Sequence, residues 1–382
     1  MSTQLNAVDA FIEQLQNKGD KKFSIQIAPA VRVAIGEYLG YPPGQNLVGQ
    51  LIGALRSIGI DYVFDTNFGA DLTVIEEAFE LVERIRKHKL LPMFTTCCPS
   101  WYMFIEKMYP EIIPYLSTVK SPQAILASVV KTYFRDSIKL NKDKFKHFVL
   151  APCAMKKEEA KKKELWVYED EPNIDMVLTT KEMVEVFNKL KVDFKNMDKS
   201  DFDNPLGLSS GAGAIFGTTG GVMEAALRTA YYYYTGEDMK DFNLYDVRNT
   251  GLVKEGIVDF HDIKLNICTF NSLQEVKPIL EEIKKTGKCK YHFIEVMNCP
   301  LGCIGGVGQW TEDKNTLLQR RRAIFEYDQE HKYKAAHQNE FVKELYDKFL
   351  GNVGGERAHE LMHTHYKDKT TENSDEFKCK VN

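Results

Sequence analysis

The sequence predicts an α/β fold in which mostly parallel, twisted strands are flanked by helices. Apolar, strand-like segments alternate with amphipathic helical segments along most of the chain, and this rhythm is typical of parallel, doubly wound sheets. The chain has 382 residues, of which 43% are hydrophobic, so it can bury a large core. No internal repeat or long low-complexity linker interrupts the pattern.

Each predicted element has a recognisable pattern of apolar residues. The predicted strands are residues 22–30, 61–66, 91–96, 145–152, 174–180 and 289–297, and the main predicted helices are residues 47–59, 71–88, 121–138, 181–190 and 222–234. Asp71 is the expected N-cap of the helix over 71–88. The lysine- and glutamate-rich segment 156–173 is expected to be a solvated loop. Two terminal helices are expected within 341–352 and 357–367, followed by a polar tail.

Charge and hydropathy exclude several classes of protein. The net charge of −4 gives no reason to expect nucleic acid or an anionic membrane as the main partner. The first 22 residues carry acids and amides without an apolar run, so they predict neither a signal peptide nor a transit peptide. No segment approaches the roughly 18 apolar residues of a membrane span. We therefore expect a cytoplasmic protein.

Five of the eight cysteines lie in turns that follow predicted strands. Cys97 and Cys98 follow the strand 91–96, Cys153 follows 145–152, and Cys299 and Cys303 follow 289–297. Ligands of open α/β sheets bind beyond the carboxyl ends of the strands, so these three loops can meet in one crevice. The sequence therefore predicts a site built from thiols.

Thiolates that meet in such a crevice can hold zinc or an iron–sulfur cluster. The adjacent pair, the single cysteine and the C-x3-C pair do not make the two C-x(2–4)-C knuckles typical of structural zinc, which favours an iron–sulfur cluster. Unligated turn cysteines are the alternative. Cys268, Cys289 and Cys379 are expected to be free structural thiols. The glycine-rich segments 210–221 and 298–309 let the backbone approach a bulky group closely, but neither has the spacing of a phosphate-binding loop.

Taken together, the motifs TTCCPSW, APCAMKKEEA and EVMNCPLGCIGGVGQ resemble, in order and spacing, the three signatures of the iron-only, [FeFe]-hydrogenases. The resemblance continues through APAVRVAIGEYLG, FDTNFGADLTVIEEA, SGAGAIFG and GERAHELMH, and so covers residues from about 23 to 366. It implies reversible reduction of protons to H₂ at an H-cluster. In that family the H-cluster is a [4Fe–4S] cubane joined by one cysteine to a di-iron unit that carries CO, cyanide and an azadithiolate, and maturation proteins insert the di-iron unit.

The resemblance also implies a domain organisation. A short extension over 1–22 would precede an H-cluster domain over 23–366, and a polar tail would span 367–382. Within the domain we expect a first lobe at 23–150, a second at 151–310 and a C-terminal helical region at 311–366, with the active site in the cleft between the lobes. Many relatives carry N-terminal ferredoxin-like domains, whereas the residues before the match contain no cysteine, so the small form without them is expected.

The family motifs assign roles to individual residues. The expected cubane ligands are Cys98, Cys153, Cys299 and Cys303, with Cys303 shared with the di-iron unit. The expected proton relay runs through Cys97, Glu77, Ser117, Glu80 and Arg84. A thiol suits the first step because its pKa is adjustable by its environment, and carboxylates suit the next because partial burial raises their pKa. Without the resemblance, the stripe of Glu77, Glu80 and Arg84 along one helix reads as solvated ion pairing.

Four further residues match the pocket of the di-iron unit. Lys156 is expected to serve one cyanide, Pro29 with its flanking backbone to contact another, Met297 to pack on the di-iron unit, and Gln123 to support the same pocket. A surface lysine and an ordinary core methionine are the alternatives for Lys156 and Met297.

Five positions depart from the family pattern, and none of them removes a ligand or relay group. They are Ala30, Ser100, Ala151, Val307 and Trp310. Because such residues surround the first ligands, they are expected to tune turnover, catalytic bias and oxygen sensitivity rather than the reaction itself.

Electrons are expected to come from an external carrier, for which ferredoxin is the candidate. The basic runs that offer a docking patch are Lys156, Lys157, Lys161, Lys162 and Lys163, and Arg320 to Arg322. Ordinary solvated charge is the alternative for both runs. Two other functions stay open from the sequence: a hydrogen-sensing or low-activity homologue, and a non-catalytic iron–sulfur assembly factor.

Overall fold

Eight strands form two four-stranded sheets in the computed structural model, which describes residues 6–309 and 313–371. The strands are β1 (Lys22–Ile27), β2 (Tyr62–Asp65), β3 (Met93–Phe94), β4 (Phe145–Ala151), β5 (Met176–Thr179), β6 (Val253–Asp259), β7 (Lys264–Phe270) and β8 (Phe293–Val296). The first sheet has the order β2-β1-β4-β5 and is parallel throughout. The second has the order β3-β8-β7-β6, in which β6 and β7 form an antiparallel pair.

Helices flank both sheets. The α-helices are α1 (Ala7–Gln16), α2 (Pro29–Arg32), α3 (Val48–Ser57), α4 (Thr66–Lys87), α5 (Pro99–Met108), α6 (Pro122–Val129), α7 (Arg135–Ser137), α8 (Met155–Lys161), α9 (Thr180–Lys189), α10 (Gly211–Ile215), α11 (Gly221–Thr235), α12 (Leu273–Thr286), α13 (Lys314–Glu330), α14 (Glu340–Leu345) and α15 (Glu356–Met362). Wider helical turns at Val130–Phe134 and Tyr346–Leu350 extend α6 and α14. Short 3₁₀ segments lie at Ile35–Leu39, Pro110–Tyr115, Lys142–Lys144, Lys163–Leu165, Phe194–Asn196, Tyr245–Val247, Cys303–Gly305 and Ala336–Gln338.

The burial of each strand explains its place in a sheet. β1, β4 and β8 are buried along nearly their whole length, as strands covered by helices on both faces are. β6 instead alternates between buried and exposed residues, which fits an edge strand with one solvated face. Because β3 and β8 run parallel, their carboxyl ends meet at one edge of the second sheet. The carboxyl ends of β1 and β4 meet in the same way in the first.

The predicted α/β class with mostly parallel strands flanked by helices is confirmed, and the strands are divided between two sheets. The six predicted strands are present in shorter form. β6 and β7 were missed because they form an antiparallel hairpin outside the strand–helix rhythm. The sheets do not coincide with a lobe boundary at residue 150, since β3 lies before it in the second sheet and β5 lies after it in the first.

The predicted N-cap of the long helix is wrong. α4 begins five residues earlier, at Thr66, and the Asp65 side chain accepts a hydrogen bond of 2.8 Å from the backbone N–H of Asn67. Asp71 is buried within the helix, where it accepts a 2.7 Å hydrogen bond from the backbone N–H of Ser210. The sequence signal failed because the first turn of α4 is buried and polar, without the apolar spacing that marks a helix start.

The segment 156–173 is not simply a solvated loop. It contains most of α8, in which Glu159 is 1% exposed, and Lys162 forms a buried ion pair of 2.6 Å with Glu106. Part of the predicted polar tail is also bound, because the backbone N–H groups of Lys367 and Lys369 donate to Glu106. Within residues 6–309 and 313–371, no helix combines the length and apolar character that a bilayer crossing demands.

A buried ion network connects α13 to α11. Both terminal nitrogens of Arg228 lie 2.8 Å from the carboxylate of Asp328, and Nη2 also pairs with Glu224 at 2.5 Å. Arg248 reaches the same two carboxylates. α10, which leads toward the site described below, packs against α13 and α4, so this network helps to fix one wall of that site.

We predict that Arg228→Met destabilises the fold by about 3 kcal/mol, because it leaves buried carboxylates with a single cationic partner. The lowered midpoint of urea unfolding of the metal-free protein measures the effect. Arg322→Met is the matched control, since Arg322 is 80% exposed in its pair with Glu326 and should cost less than about 0.5 kcal/mol. Equal effects of the two substitutions would contradict a special role for the buried network.

Candidate active site

A cavity of about 70 Å³ lies where the carboxyl ends of strands from both sheets face each other. Residues after β1, β2, β3, β4 and β8 line it, and most of them are apolar. The apolar lining includes Pro29, Ala30, Ala151, Phe216 and Met297. Pro29 and Met297, which the resemblance places at the di-iron unit, both line this cavity, and Met297 is 4% exposed.

The predicted cysteine cluster gathers at this cavity. Cys97, Cys98, Cys153 and Cys303 line it, while burial first, and then the thiols of Cys153, Cys98 and Cys303, raise the pKa of Cys299 well above its ordinary value. All five are free thiols. Among residues 6–309 and 313–371, no three His, Cys, Asp or Glu side chains are arranged as the ligands of a single metal ion.

Backbone N–H groups surround the sulfurs of the predicted cubane ligands. Burial raises the pKa of Cys98, while N–H groups of Asn298, Trp101 and Ser100 oppose that rise. Burial likewise raises the pKa of Cys153 to about 11, against N–H donors from Met155 and Lys156. Donors aimed at sulfur favour the thiolate, the form that binds metal. The donor set of four converging thiols with backbone support therefore fits an iron–sulfur cluster.

Glycines bring the cysteine loops into direct backbone contact with their neighbours. Gly302 adopts φ +98°, which favours glycine, and a Cβ there would lie 2.5 Å from the backbone N of Thr219. A Cβ at Gly306 would lie 2.4 Å from the carbonyl oxygen of Pro152. The loop of Cys303 is thus pressed against the loop of Cys153. These glycines allow close contact between protein loops. The sequence had suggested a different role for them, the close approach of the backbone to a bulky group.

Lys156 is held at the cavity by a buried carboxylate. Its ammonium donates to the backbone oxygen of Cys97 at 3.1 Å and to Glu159 at 2.8 Å. Burial lowers the pKa of Lys156, but Glu159 and the thiols of Cys97 and Cys153 more than offset this, so the pKa is raised and the amine stays charged. The side chain is partly buried and lines the cavity. The surface-lysine reading of Lys156 is therefore wrong.

Gln123 joins the same group. Its amide nitrogen donates to the Lys156 carbonyl at 3.2 Å and to Glu159 at 3.1 Å. Its amide oxygen is buried and has no hydrogen-bond partner among the described residues. The cavity therefore presents one fixed cation and one unsatisfied amide oxygen against a largely apolar wall, a combination that suits a ligand with a few polar atoms.

Cys97 faces a buried glutamate on α4. Burial first, and the neighbouring Glu77 second, raise the pKa of the Cys97 thiol well above its ordinary value. Glu77 is itself fully buried, and burial raises its pKa to about 8, against the Ser117 hydroxyl, which lies near enough to lower it. Neither carboxylate oxygen has a hydrogen-bond partner of normal geometry among the described residues. At neutral pH, both groups therefore hold their protons.

The remaining predicted relay residues form a continuous hydrogen-bonded chain. Ser117 Oγ donates to Glu80 Oε2 at 3.2 Å, and Arg84 donates to Glu80 Oε1 at 2.6 Å. Arg84 also donates to three backbone carbonyls, which lock it in place. Glu80 and Arg84 line an open cleft of about 440 Å³, so the chain ends at the surface. The solvated-stripe reading is wrong for this face of α4, although Phe79 beside it is exposed.

The basic runs do not form free docking patches. Lys162 is buried in an ion pair with Glu106, and the partly buried Lys156 and Lys157 pair with Glu159 and Glu182. Arg320 is 0% exposed in its pair with Glu37. Of the runs named above, the exposed members are Lys161, Lys163 and Arg322. Neither run therefore presents the row of unpaired cations that an acidic partner would need.

The departures from the family pattern occupy different places. Ala30 and Ala151 line the cavity, Ser100 lies in the first turn of α5 beside Cys98, and Val307 is 64% exposed. Trp310 lies outside the described residues, as does Cys379. Among the departures that fall on described residues, the two alanines are the ones that line the cavity wall.

The chain belongs to the iron-only hydrogenase family. Residues 21–307 match the family model "Iron only hydrogenase large subunit, C-terminal domain", and residues 314–369 match "Iron hydrogenase small subunit". An apo form of [FeFe]-hydrogenase HydA1 from Chlamydomonas reinhardtii has a similar structure, with a TM-score of 0.84 and 38% identity over 95% of this chain and 99% of that one.

Curated relatives carry the same domain within longer chains. The chain is 42% identical to the NADP-reducing hydrogenase subunit HndD of Solidesulfovibrio fructosivorans and 37% identical to iron hydrogenase 1 of Clostridium pasteurianum, over 93% of its length in each case. It spans 61% and 63% of the lengths of these two proteins. The cytosolic Fe-S cluster assembly factor narfl of Danio rerio is 28% identical over 93% of the chain.

Two polar residues of the site were missed from the sequence. Glu159 accepts hydrogen bonds from Lys156, Gln123 and Ser121, and Thr118 donates to Glu80. Glu159 could have been found from its position three residues after Lys156, because that spacing places both on one helix face. Reading the segment as a loop hid that relation. Thr118 gave no signal, since its role depends on a contact between separate elements.

We predict that Glu77→Gln stabilises the metal-free protein more strongly as the pH rises. The unfolded carboxyl ionises near its ordinary value of 4.5, and the folded one near 8. Between these values the unfolded state binds fewer protons, so the stability that Glu77 contributes at low pH is lost as pH rises. The Glu77→Gln variant lacks this pH dependence. Its free energy of unfolding should therefore rise relative to that of the wild type by on the order of 3 kcal/mol between pH ~4.5 and pH ~8.

Urea unfolding of both proteins across this pH range provides the measurement. Glu83→Gln controls for the loss of a carboxylate from the same helix, because Glu83 is partly exposed and pairs with Lys87. If the wild-type and Glu77→Gln stabilities run parallel over the whole range, then Glu77 is ionised in the fold at neutral pH, contrary to this account.

Proposed function

We propose that this protein is a [FeFe]-hydrogenase that catalyses the reversible reaction 2H⁺ + 2e⁻ ⇌ H₂. The observation that carries the proposal is the line of polar side chains between the cavity and the surface. The cavity where the thiols converge is bounded by Cys97, and a line of polar side chains leads from there through Glu77, Ser117 and Glu80 to an open cleft at Arg84. A site that only held an iron–sulfur cluster would need no such line.

The cubane would be held by Cys98, Cys153, Cys299 and Cys303, with Cys303 shared with the di-iron unit. The di-iron unit with its CO, cyanide and azadithiolate ligands would supply the redox chemistry on hydrogen when bound. Lys156 is suited to one cyanide because its charge is fixed by Glu159. Pro29, Met297 and Gln123 would enclose the rest of the unit. The fit is supported by the apolar wall, which would exclude water from the reacting metals.

The chain's own residues would move each proton in short steps. Cys97, held as a thiol by burial and by Glu77, would exchange a proton with the cofactor. Glu77 would relay it toward the Ser117 hydroxyl, which is hydrogen-bonded to Glu80. Arg84 orients Glu80 at 2.6 Å and lines the cleft that opens to water. Matched proton affinities along such a path favour rapid transfer, and a carboxyl whose pKa is about 8 meets that need near neutral pH.

We infer that electrons enter from an external carrier, with ferredoxin as the candidate. The relatives differ in this respect, since one similar protein is named as an NADP-reducing hydrogenase subunit. The paired state of the basic runs means that a carrier would have to dock elsewhere. Maturation proteins would insert the di-iron unit. A cytoplasmic location stays a prediction from the sequence.

Two alternative functions remain as rivals. A hydrogen sensor or low-activity homologue would bind the same cofactor and turn over slowly, and the alanines at positions 30 and 151 in the cavity wall leave this idea open. A non-catalytic iron–sulfur assembly factor is suggested by the likeness to narfl. Against it stand the buried Cys97–Glu77 pair and the hydrogen-bonded chain to Arg84, which holding a cubane alone would not require.

We predict that Cys97→Ala lowers H₂ evolution by at least about 100-fold, because the first proton carrier is lost while every cubane ligand remains. The cubane is first reconstituted, a synthetic di-iron complex is added, and reduced methyl viologen then drives the reaction. Cys289→Ala is the matched control, a partly buried thiol outside the cavity, and it should retain the activity of the wild-type protein.

Iron content and infrared spectra of the same samples separate loss of chemistry from loss of cofactor. Near-full activity of Cys97→Ala with the cofactor in place would contradict the role of Cys97 as the first proton carrier. A wild-type protein that carries the complete cofactor and yet evolves H₂ very slowly would point to the sensor instead.

A further inference from the structure

A second hydrogen-bonded branch leaves the relay at Glu80. Thr118 Oγ donates to Glu80 Oε2 at 3.2 Å and lies 2.7 Å from Nδ1 of His363. The other ring nitrogen, Nε2, lies 3.0 Å from Glu76 Oε2. Glu76 is adjacent to Glu77 on α4 but is turned toward the C-terminal part of the chain. Side chains from three separate segments thus form a line from Glu80 to Glu76.

The partners of Glu76 fix the tautomer of the histidine. Glu76 accepts hydrogen bonds from the Tyr346 hydroxyl and, at 3.0 Å, from the backbone N–H of Gly354. Since both Glu76 oxygens already accept hydrogen bonds, Glu76 acts as the acceptor toward His363, so Nε2 of His363 carries the hydrogen that lies between them. Nδ1 of the neutral ring is then an acceptor, and Thr118 can donate to it only in the state in which the single Thr118 hydroxyl hydrogen is not donated to Glu80.

The Thr118 hydroxyl can connect two protonation states of this line. When Glu80 is protonated, its O–H can donate to Thr118 Oγ, and Thr118 can donate to Nδ1 of neutral His363. Transfer of both hydrogens in the same direction leaves Glu80 ionised, Thr118 neutral and His363 an imidazolium. One proton has moved from Glu80 to His363, and no other group is consumed. Glu76, on the far side of the ring, stabilises the charge that results.

The backbone holds His363 in this position. The N–H of Thr364 donates to the Thr118 carbonyl at 2.8 Å, and the N–H of Lys120 donates to the Met362 carbonyl at 2.8 Å. The His363 ring stacks on the exposed His359 with centroids 4.5 Å apart, at the solvent side. The titratable groups around the His363–Glu76 pair are Glu80 of α4, which reaches His363 through Thr118, and His359 of α15, which stacks on His363. Tyr346 and Tyr233 of α11 lie against Glu76, and His365 lies against His359.

We propose that His363 is a proton-holding branch of the relay, loaded from Glu80 through Thr118 and balanced by Glu76. The proposal rests on the proposed hydrogenase function for its use in turnover, whereas the hydrogen-bonded coupling of Glu80 to His363 does not depend on any cofactor. A proton on Glu80 can move to His363 through this branch. Glu80 is then available sooner to accept the next proton from Ser117.

The coupling is tested first in the metal-free protein with ¹⁵N-labelled histidine. Glu80→Gln should shift the Nδ1 resonance of His363, and this shift should vanish when Thr118→Val is also present, because valine keeps the shape and lacks the hydroxyl. A merely structural Thr118 would leave the effect of Glu80→Gln unchanged. Thr364→Val is the matched control, since its hydroxyl donates to the Glu164 carbonyl. A Glu80-dependent shift that survives Thr118→Val, or no shift in either protein, overturns the proposal.

Turnover is tested next in the protein loaded with cofactor. Thr118→Val and His363→Gln should each lower kcat for H₂ evolution by about threefold, with the KM for the viologen unchanged, as expected for a supporting proton-transfer group. Thr364→Val should match the wild type. If both variants keep the full activity of an active wild type, the proposed branch through His363 is wrong and the proposed hydrogenase function is unaffected. If the wild-type protein carries the cofactor and is inactive, the proposed hydrogenase function is wrong instead.

Discussion

Exclusion of water from the cavity between the two sheets is the constraint on which the rest of the site depends. An apolar wall of proline, alanine, phenylalanine and methionine makes every charge at its edge costly unless it is paired. That cost explains why Lys156 has Glu159 as a partner. It also explains why Cys97 and Glu77 stay protonated near neutral pH. The same wall would keep water from metals bound at the thiols.

The cavity in turn depends on how the strands end. Parallel strands bring their carboxyl ends to one edge, so two sheets that face each other can contribute cysteine loops to a single space. Backbone contacts between the loops then fix the spacing of the thiols. Gly306 against Pro152 is the clearest case, because any side chain would push the loops of Cys153 and Cys303 apart. Rigid loops of this kind favour a preformed site over one that folds around its metal.

Much of this could be predicted from the sequence, because the signals were local. Cysteines in turns after apolar strands, and glutamates spaced along one helix, predicted both the crevice and the stripe on α4. The antiparallel pair of β6 and β7 was missed because it lies outside the strand–helix alternation. Thr118 and His363 could not be assigned, since each works through a side chain from a distant segment. Glu159 was missed because its segment was read as a loop, which hid its spacing to Lys156. Asp71 was misread as a cap because a buried polar helix start lacks the usual apolar spacing.

The most direct test of the central claim is an infrared spectrum of the protein after cubane reconstitution and addition of a synthetic di-iron complex. The account predicts sharp bands from metal-bound CO and cyanide that persist after removal of the unbound complex. It also predicts that Lys156→Met shifts the cyanide bands, because the fixed ammonium faces the cavity. A reconstituted cubane without these bands would contradict the account, because the cavity would then not be a site for the di-iron unit.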